Sequence, residues 1–137
     1  VIILWASLLN YNLVFNQYAN LYAQSSWNTS EMGEVAKGFT ETFGEGSNVW
    51  VVAYPYWVDG RLVAINANQS KKDFSIFGDR LSSTLQTPGA KLFLLSAEDQ
   101  KDLKTLQQLY PYGMETIRPG NRDKKFITYI VPEFANR

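Results

Sequence analysis

The 137-residue chain contains neither cysteine nor histidine. Their absence excludes disulfides, thiol nucleophiles, Ser/His catalytic triads and the usual zinc sites. Net charge is also absent, because 13 basic residues balance 13 acidic ones, so no overall field attracts nucleic acid. A chain of this length has room for one ordinary domain. We therefore expect one domain without a cofactor, a metal or a nucleic-acid partner.

Charged residues are absent from the first 30 positions. The chain opens with the mostly apolar run VIILWASLL (1–9) and continues with many Asn, Tyr and Trp residues. A bilayer-spanning helix needs about 20 apolar residues, so nine could only be the end of one. Tyr and Trp concentrate at membrane interfaces, and Lys and Arg are scarce on the translocated side. The run is therefore typical of a segment that leaves a membrane outward.

An amphipathic helix explains the same segment. Apolar residues recur at spacings of three and four along one helical face, namely at Leu4, Leu8, Tyr11, Phe15, Tyr18 and Tyr22. The two interpretations are compatible and both stay open. Residues 1–27 are predicted as an N-terminal amphipathic or membrane-exit helix, which could also mediate a homodimer.

Helices and strands alternate from residue 28 onwards, which predicts an α/β domain over residues 28–137. The first predicted helix has one apolar stripe through Met32 and Phe39, and Asn28 with Glu31 is expected to form a capping box at its start. Predicted strands cover residues 49–54, 91–97 and, more weakly, 72–77. A further helix follows residue 97, with Ser96 as its expected N-cap.

Two extended runs, GMETIR (113–118) and KKFITYIVPE (124–133), flank a turn-rich segment. They are predicted as an antiparallel pair at a sheet edge. The expected fold is a single layered α/β domain. It has a mixed, mostly parallel sheet of about five strands with helices packed on it.

Three carboxylates, Glu98, Asp99 and Asp102, lie near the start of the predicted helix after residue 97. Converging carboxylates can hold a divalent ion. Acidic residues are also common in a first helical turn because they interact favourably with the helix dipole, and this is our interpretation. The GEGS segment (44–47) follows a helix and precedes a strand, whereas a phosphate-binding loop has the opposite order. We therefore predict neither a metal site nor a nucleotide site.

The stretch YPYWVDGR (54–61) supplies the candidate ligand-binding residues Tyr56, Trp57, Asp59 and Arg61. Aromatic rings can cover the C–H face of a sugar, while Asp and Arg bind its hydroxyls. The stretch follows the predicted strand 49–54, and open α/β sheets bind ligands beyond the carboxyl ends of their strands.

The alternative is structural, with Trp57 packed in the core and Asp59 capping a helix or pairing with Arg61. A short helix over 57–66 is favoured over a hairpin at Asp59-Gly60, because Val58, Leu62 and Ile65 have helical spacing.

Three segments occur in order after the apolar N-terminus: VVAYPYWVDGRLVAI (51–65), KLFLLSAEDQKDLKTLQQLYPYG (91–113) and FITYIVPE (126–133). Together they resemble the C-terminal extracytoplasmic domain of bacterial membrane glycosyltransferases of the protein O-mannosyltransferase-like group, glycosyltransferase family 39. The resemblance implies a polyprenyl-phosphate sugar as donor. It also implies a catalytic acid in an early extracytoplasmic loop, which this sequence does not contain.

The resemblance therefore implies an accessory domain without catalytic residues, tethered at the extracytoplasmic face of a membrane. Its implied partners are the membrane part of the same polypeptide and a glycan or polyprenyl-linked sugar. Two alternatives stay open. One is a free-standing α/β ligand-binding or protein-interaction domain, and the other is a soluble enzyme with a carboxylate-based site.

Overall fold

A computed structural model describes residues 1–18, 28–44, 48–120 and 123–133. The helices are α1 (Ile2–Tyr11), a π-helical continuation (Asn12–Tyr18), α2 (Thr29–Phe43), α3 (Gly60–Asn66), a 3-10 helix (Gly78–Gln86) and α4 (Gln100–Leu109). The strands are β1 (Asn48–Val52), β2 (Ser75–Ile76), β3 (Lys91–Ser96), β4 (Met114–Arg118) and β5 (Phe126–Val131).

The five strands form one mixed sheet in the order β2-β1-β3-β5-β4. β2 and β3 both run parallel to β1, whereas β5 runs antiparallel to its neighbours β3 and β4. The predicted α/β fold with a mixed five-stranded sheet and packed helices is confirmed. Its parallel pairing is confined to the half formed by β2, β1 and β3.

Helices cover both faces of this sheet. On one face α2 and α3 bury side chains such as Met32 and Val63 against β1 and β3. On the other face the 3-10 helix and α4 bury side chains such as Leu81 and Leu103. Successive strand residues point to opposite faces, so β3 contributes Leu94 to the first core and its neighbours to the second. The connection after β1 therefore leads to one face, and the connection after β3 leads to the other.

Both predicted helix caps need correction. Asn28 does precede α2, but its side chain does not cap the helix and donates to the Lys124 carbonyl instead. Ser96 is not the N-cap of α4, because it is the last residue of β3 and pairs with Phe126. Asp99 occupies the N-cap position, and its Oδ1 accepts a hydrogen bond from the Asp102 N–H at 3.2 Å.

The N-terminal helix exposes apolar side chains on every side. Ile2, Ile3, Leu4 and Trp5 are each at least 66% exposed, and four successive residues point in four directions around a helix. The predicted stripe is therefore part of an apolar surface that surrounds the helix, and Tyr22 lies outside the described residues. Among the described residues, no helix is long and apolar enough to cross a membrane.

Candidate functional site

The chain leaves β1 through an irregular loop before α3 begins. β1 ends at Val52, and α3 starts at Gly60 instead of the predicted Trp57. Asp59 has an extended backbone and caps α3, so the helix cannot begin earlier. Tyr56 is 98% exposed and has a φ of 55°, in the left-handed region that most side chains avoid. The alternative hairpin at Asp59-Gly60 is wrong, since Gly60 is helical.

Asp59 and Arg61 pair with each other at the start of α3. Asp59 Oδ1 accepts from the Arg61 N–H at 2.9 Å, and Asp59 Oδ2 lies 3.3 Å from Arg61 Nη2. The backbone hydrogen bond from Arg61, followed by its side-chain hydrogen bond, lowers the pKa of Asp59. Capping and pairing therefore already use part of the hydrogen-bonding capacity of both side chains.

The aromatic residues of the loop point in different directions. Trp57 is half-buried and packs with Val58 against the core beneath α2 and α3, whereas Tyr56 projects into solvent. The structural alternative thus describes the environments of Trp57, Asp59 and Arg61. Ligand binding by Tyr56, Trp57, Asp59 and Arg61 stays a prediction.

A second group of polar residues surrounds a cavity of about 680 Å³ beside the start of α4. Its walls come from the start of the 3-10 helix and from the first turns of α4, with Phe77, Gly78, Asp79, Arg80, Lys101 and Asp102 as the main lining residues. Of these residues only Asp102 was a candidate from the sequence, and the opposite wall of the cavity was not predicted. The weak strand at 72–77 followed by two charged residues was the available signal, but no helix was predicted there.

Two carboxyl groups meet on the α4 side of this cavity. Asp99 is 5% exposed, and its Oδ2 has no hydrogen-bond partner among the described residues. Burial, and then the charge of Asp99 and a hydrogen bond with it, raise the pKa of Asp102.

Gly78 allows the 3-10 helix to approach this pair closely. A Cβ atom at position 78 would lie 2.4 Å from both carboxyl oxygens of Asp102, so any larger residue would displace that side chain. Within the described ranges, no group of three or more acidic side chains is arranged to hold a metal ion. Asp99 is the N-cap of α4 and Asp102 lies in its first turn, so both are acids at a helix start, as interpreted from the sequence.

Lys91 is a buried charged residue that lies apart from the cavity, at the amino end of β3. Its side chain is fully buried and donates to the Gly89 carbonyl at 3.0 Å. Its ammonium nitrogen lies 5.7 Å from the centre of the Tyr110 ring. Burial lowers the pKa of Lys91. These contacts are with the core under α4, which assigns Lys91 to packing.

A groove of about 580 Å³ separates α2 from the antiparallel end of the sheet. Its floor is largely apolar and includes Phe39, Phe126 and Ile130, while Glu34 and Arg118 contribute charge. The groove lies along β5 and the end of β4, in the antiparallel half of the sheet. It contains few converging polar groups, so we regard the cavity beside α4 as the stronger candidate site.

Comparisons with protein families, curated proteins and solved structures found no match.

Proposed function

We propose that this chain is an accessory extracytoplasmic domain of a membrane glycosyltransferase that uses a polyprenyl-phosphate sugar. In this proposal the domain contacts acceptor or glycan and does not catalyse transfer by itself. The observation that carries the proposal is the uncharged N-terminal helix with apolar side chains on all sides. The three segments that resemble glycosyltransferase family 39 supply the reaction class.

The exposed surface of the N-terminal helix favours lipid over a single protein partner. A protein interface covers one face of a helix, whereas Ile3, Leu8, Leu9 and Leu13 expose apolar surface in several directions. Contiguous apolar surface of this kind rarely stays in water. Helices that are apolar all round are usually buried in a large protein or a membrane. Trp5 adds a ring of the type that gathers at membrane interfaces.

Vesicle flotation tests the tether. Neutral phosphatidylcholine vesicles are the probe, because they offer apolar surface without electrostatic attraction. The full chain should float with the vesicles, and the double variant Leu4→Asp, Leu8→Asp should not. Residues 28–137 alone should also stay in solution. None of residues 1–17 belongs to either core, so residues 28–137 are expected to fold alone.

Failure of the full chain to float with vesicles, together with dimerisation through residues 1–18, would contradict the membrane tether. It would instead favour the free-standing binding domain.

An assay of sugar transfer tests the accessory role. Incubation of the isolated chain with a polyprenyl-phosphate sugar and a peptide acceptor should give no turnover, and turnover would make Glu98, Asp99 and Asp102 candidate catalytic residues.

A further inference from the structure

We propose that the cavity between the 3-10 helix and α4 binds a neutral polyhydroxylated ligand, namely a sugar or a short oligosaccharide. The choice of a sugar rests on the proposed function. The proposal goes further by assigning the contact to Phe77, Asp79, Arg80, Lys101 and Asp102, instead of the loop after β1.

The cavity lies where the topology favours ligand binding. The 3-10 helix begins just after β2, and α4 begins after β3. Both strands are parallel neighbours of β1, so the two helix starts flank the carboxyl end of β1. The chain after β1 turns to the opposite face of the sheet, which leaves a crevice at this edge. Open α/β sheets bind their ligands in such crevices.

The charged groups of the cavity are available to a ligand. Among the described residues, Arg80 and Lys101 form no ion pair, and the Asp79 carboxylate accepts no hydrogen bond. Carboxylates accept hydrogen bonds from hydroxyls, and guanidinium and ammonium groups donate to them. The cavity thus presents both kinds of partner that a sugar hydroxyl needs. Phe77 is 65% exposed and supplies a ring for the C–H face.

The charges of the cavity favour a neutral ligand. Its lining has two acidic side chains, Asp79 and Asp102, and two basic ones, Arg80 and Lys101. The formal charges of these four side chains balance. An anion such as phosphate would disturb this balance, and so would a cation such as a polyamine. A neutral sugar leaves it intact.

Titration of the full chain with neutral oligosaccharides tests the site. Maltotriose and mannotriose at millimolar concentration are the probes, and amide chemical shifts report binding and its location. Asp79→Asn and Arg80→Gln should each weaken binding about tenfold, because each removes a charge-assisted hydrogen bond. The matched controls Glu98→Gln and Arg61→Gln should bind like the unmodified chain. All four residues are exposed, so unchanged spectra should show that the variants fold.

Binding that is lost in Arg61→Gln but kept in Asp79→Asn and Arg80→Gln would overturn the proposal and return the site to the loop after β1. The absence of binding to either oligosaccharide would also overturn it. Vesicle flotation depends only on residues 1–18, so a failure here is distinct from a failure of the tether. Saturable binding of inorganic phosphate or glycine, but not of sugars, would overturn the assignment of a neutral ligand.

Discussion

The loop after β1 and the cavity beside α4 contain similar residue types, but their charged side chains differ in whether they are paired with each other. Each combines an exposed aromatic ring with acidic and basic side chains beyond the end of a parallel strand. In the loop, Asp59 and Arg61 are two positions apart and form an ion pair with each other. In the cavity, Arg80 and Lys101 come from different helices and form no ion pair among the described residues. Residue type alone therefore does not identify a binding surface, because local pairing can use up the same groups.

The largest expected effect separates the structural part of the loop from its exposed part. Trp57→Ala should destabilise the fold by about 2 to 4 kcal/mol. Full burial would cost about 3 to 5 kcal/mol, and Trp57 is half-buried against the core. Tyr56→Ala is the matched control and should stay within about 0.5 kcal/mol, since Tyr56 is 98% exposed. Urea unfolding measures both. Equal, small losses would mean that Trp57 belongs to the accessible surface.

The next effect concerns the cap of α3. Asp59→Ala removes the oxygen that accepts from the Arg61 N–H and should cost about 1 kcal/mol, the usual value of an N-cap. Asp59→Asn keeps an accepting oxygen and should cost much less. Thermal unfolding of both variants measures the difference. Equal losses would show that the charge of Asp59, and not its cap, stabilises the loop.

Sequence patterns were sufficient for the fold because its signals are local. The uncharged run LFLL predicts a buried strand, and β3 is buried throughout. The caps were less predictable, because the strand pairing of Ser96 with Phe126 and the bond from Asn28 to Lys124 join distant segments. The cavity wall was missed for the same reason. Phe77 and Asp79 follow a strand of only two residues, and their approach to Asp102 depends on the packing of α4.

The pH dependence of stability should have opposite signs for Asp102 beside the cavity and for Asp59 in the loop. The pKa of Asp102 is raised from an ordinary value of 3.8, so its stabilising contribution is complete below that value. It is lost as the pH rises through the raised pKa. The pKa of Asp59 is lowered from 3.8, so its contribution is present above 3.8. That contribution is lost as the pH falls through the lowered pKa.

Urea unfolding of Asp102→Asn and Asp59→Asn at a series of pH values should resolve this contrast. A range of about pH 2 to 8 covers the titration of shifted carboxyl groups. Asp102→Asn removes the titrating carboxyl group and should therefore remove the loss on the alkaline side. The change should be below about 1 kcal/mol, because Asp102 is only partly buried and solvent screens exposed charges. An unchanged profile in Asp102→Asn would mean that the pKa of Asp102 is not raised in the folded chain.

The smallest expected effect compares two exposed arginines. Arg61→Gln should lower the free energy of unfolding only slightly, and the difference should vanish at high salt, because exposed ion pairs are weak and screened. Arg80→Gln should leave the free energy of unfolding unchanged, since Arg80 has no ion-pair partner among the described residues. Oligosaccharide titration of the same two variants should give the opposite pattern. Arg61→Gln should change stability but not sugar binding, and Arg80→Gln should change sugar binding but not stability. An Arg80→Gln variant that loses stability would show that Arg80 is already satisfied within the fold. Its guanidinium would then not be available to a ligand.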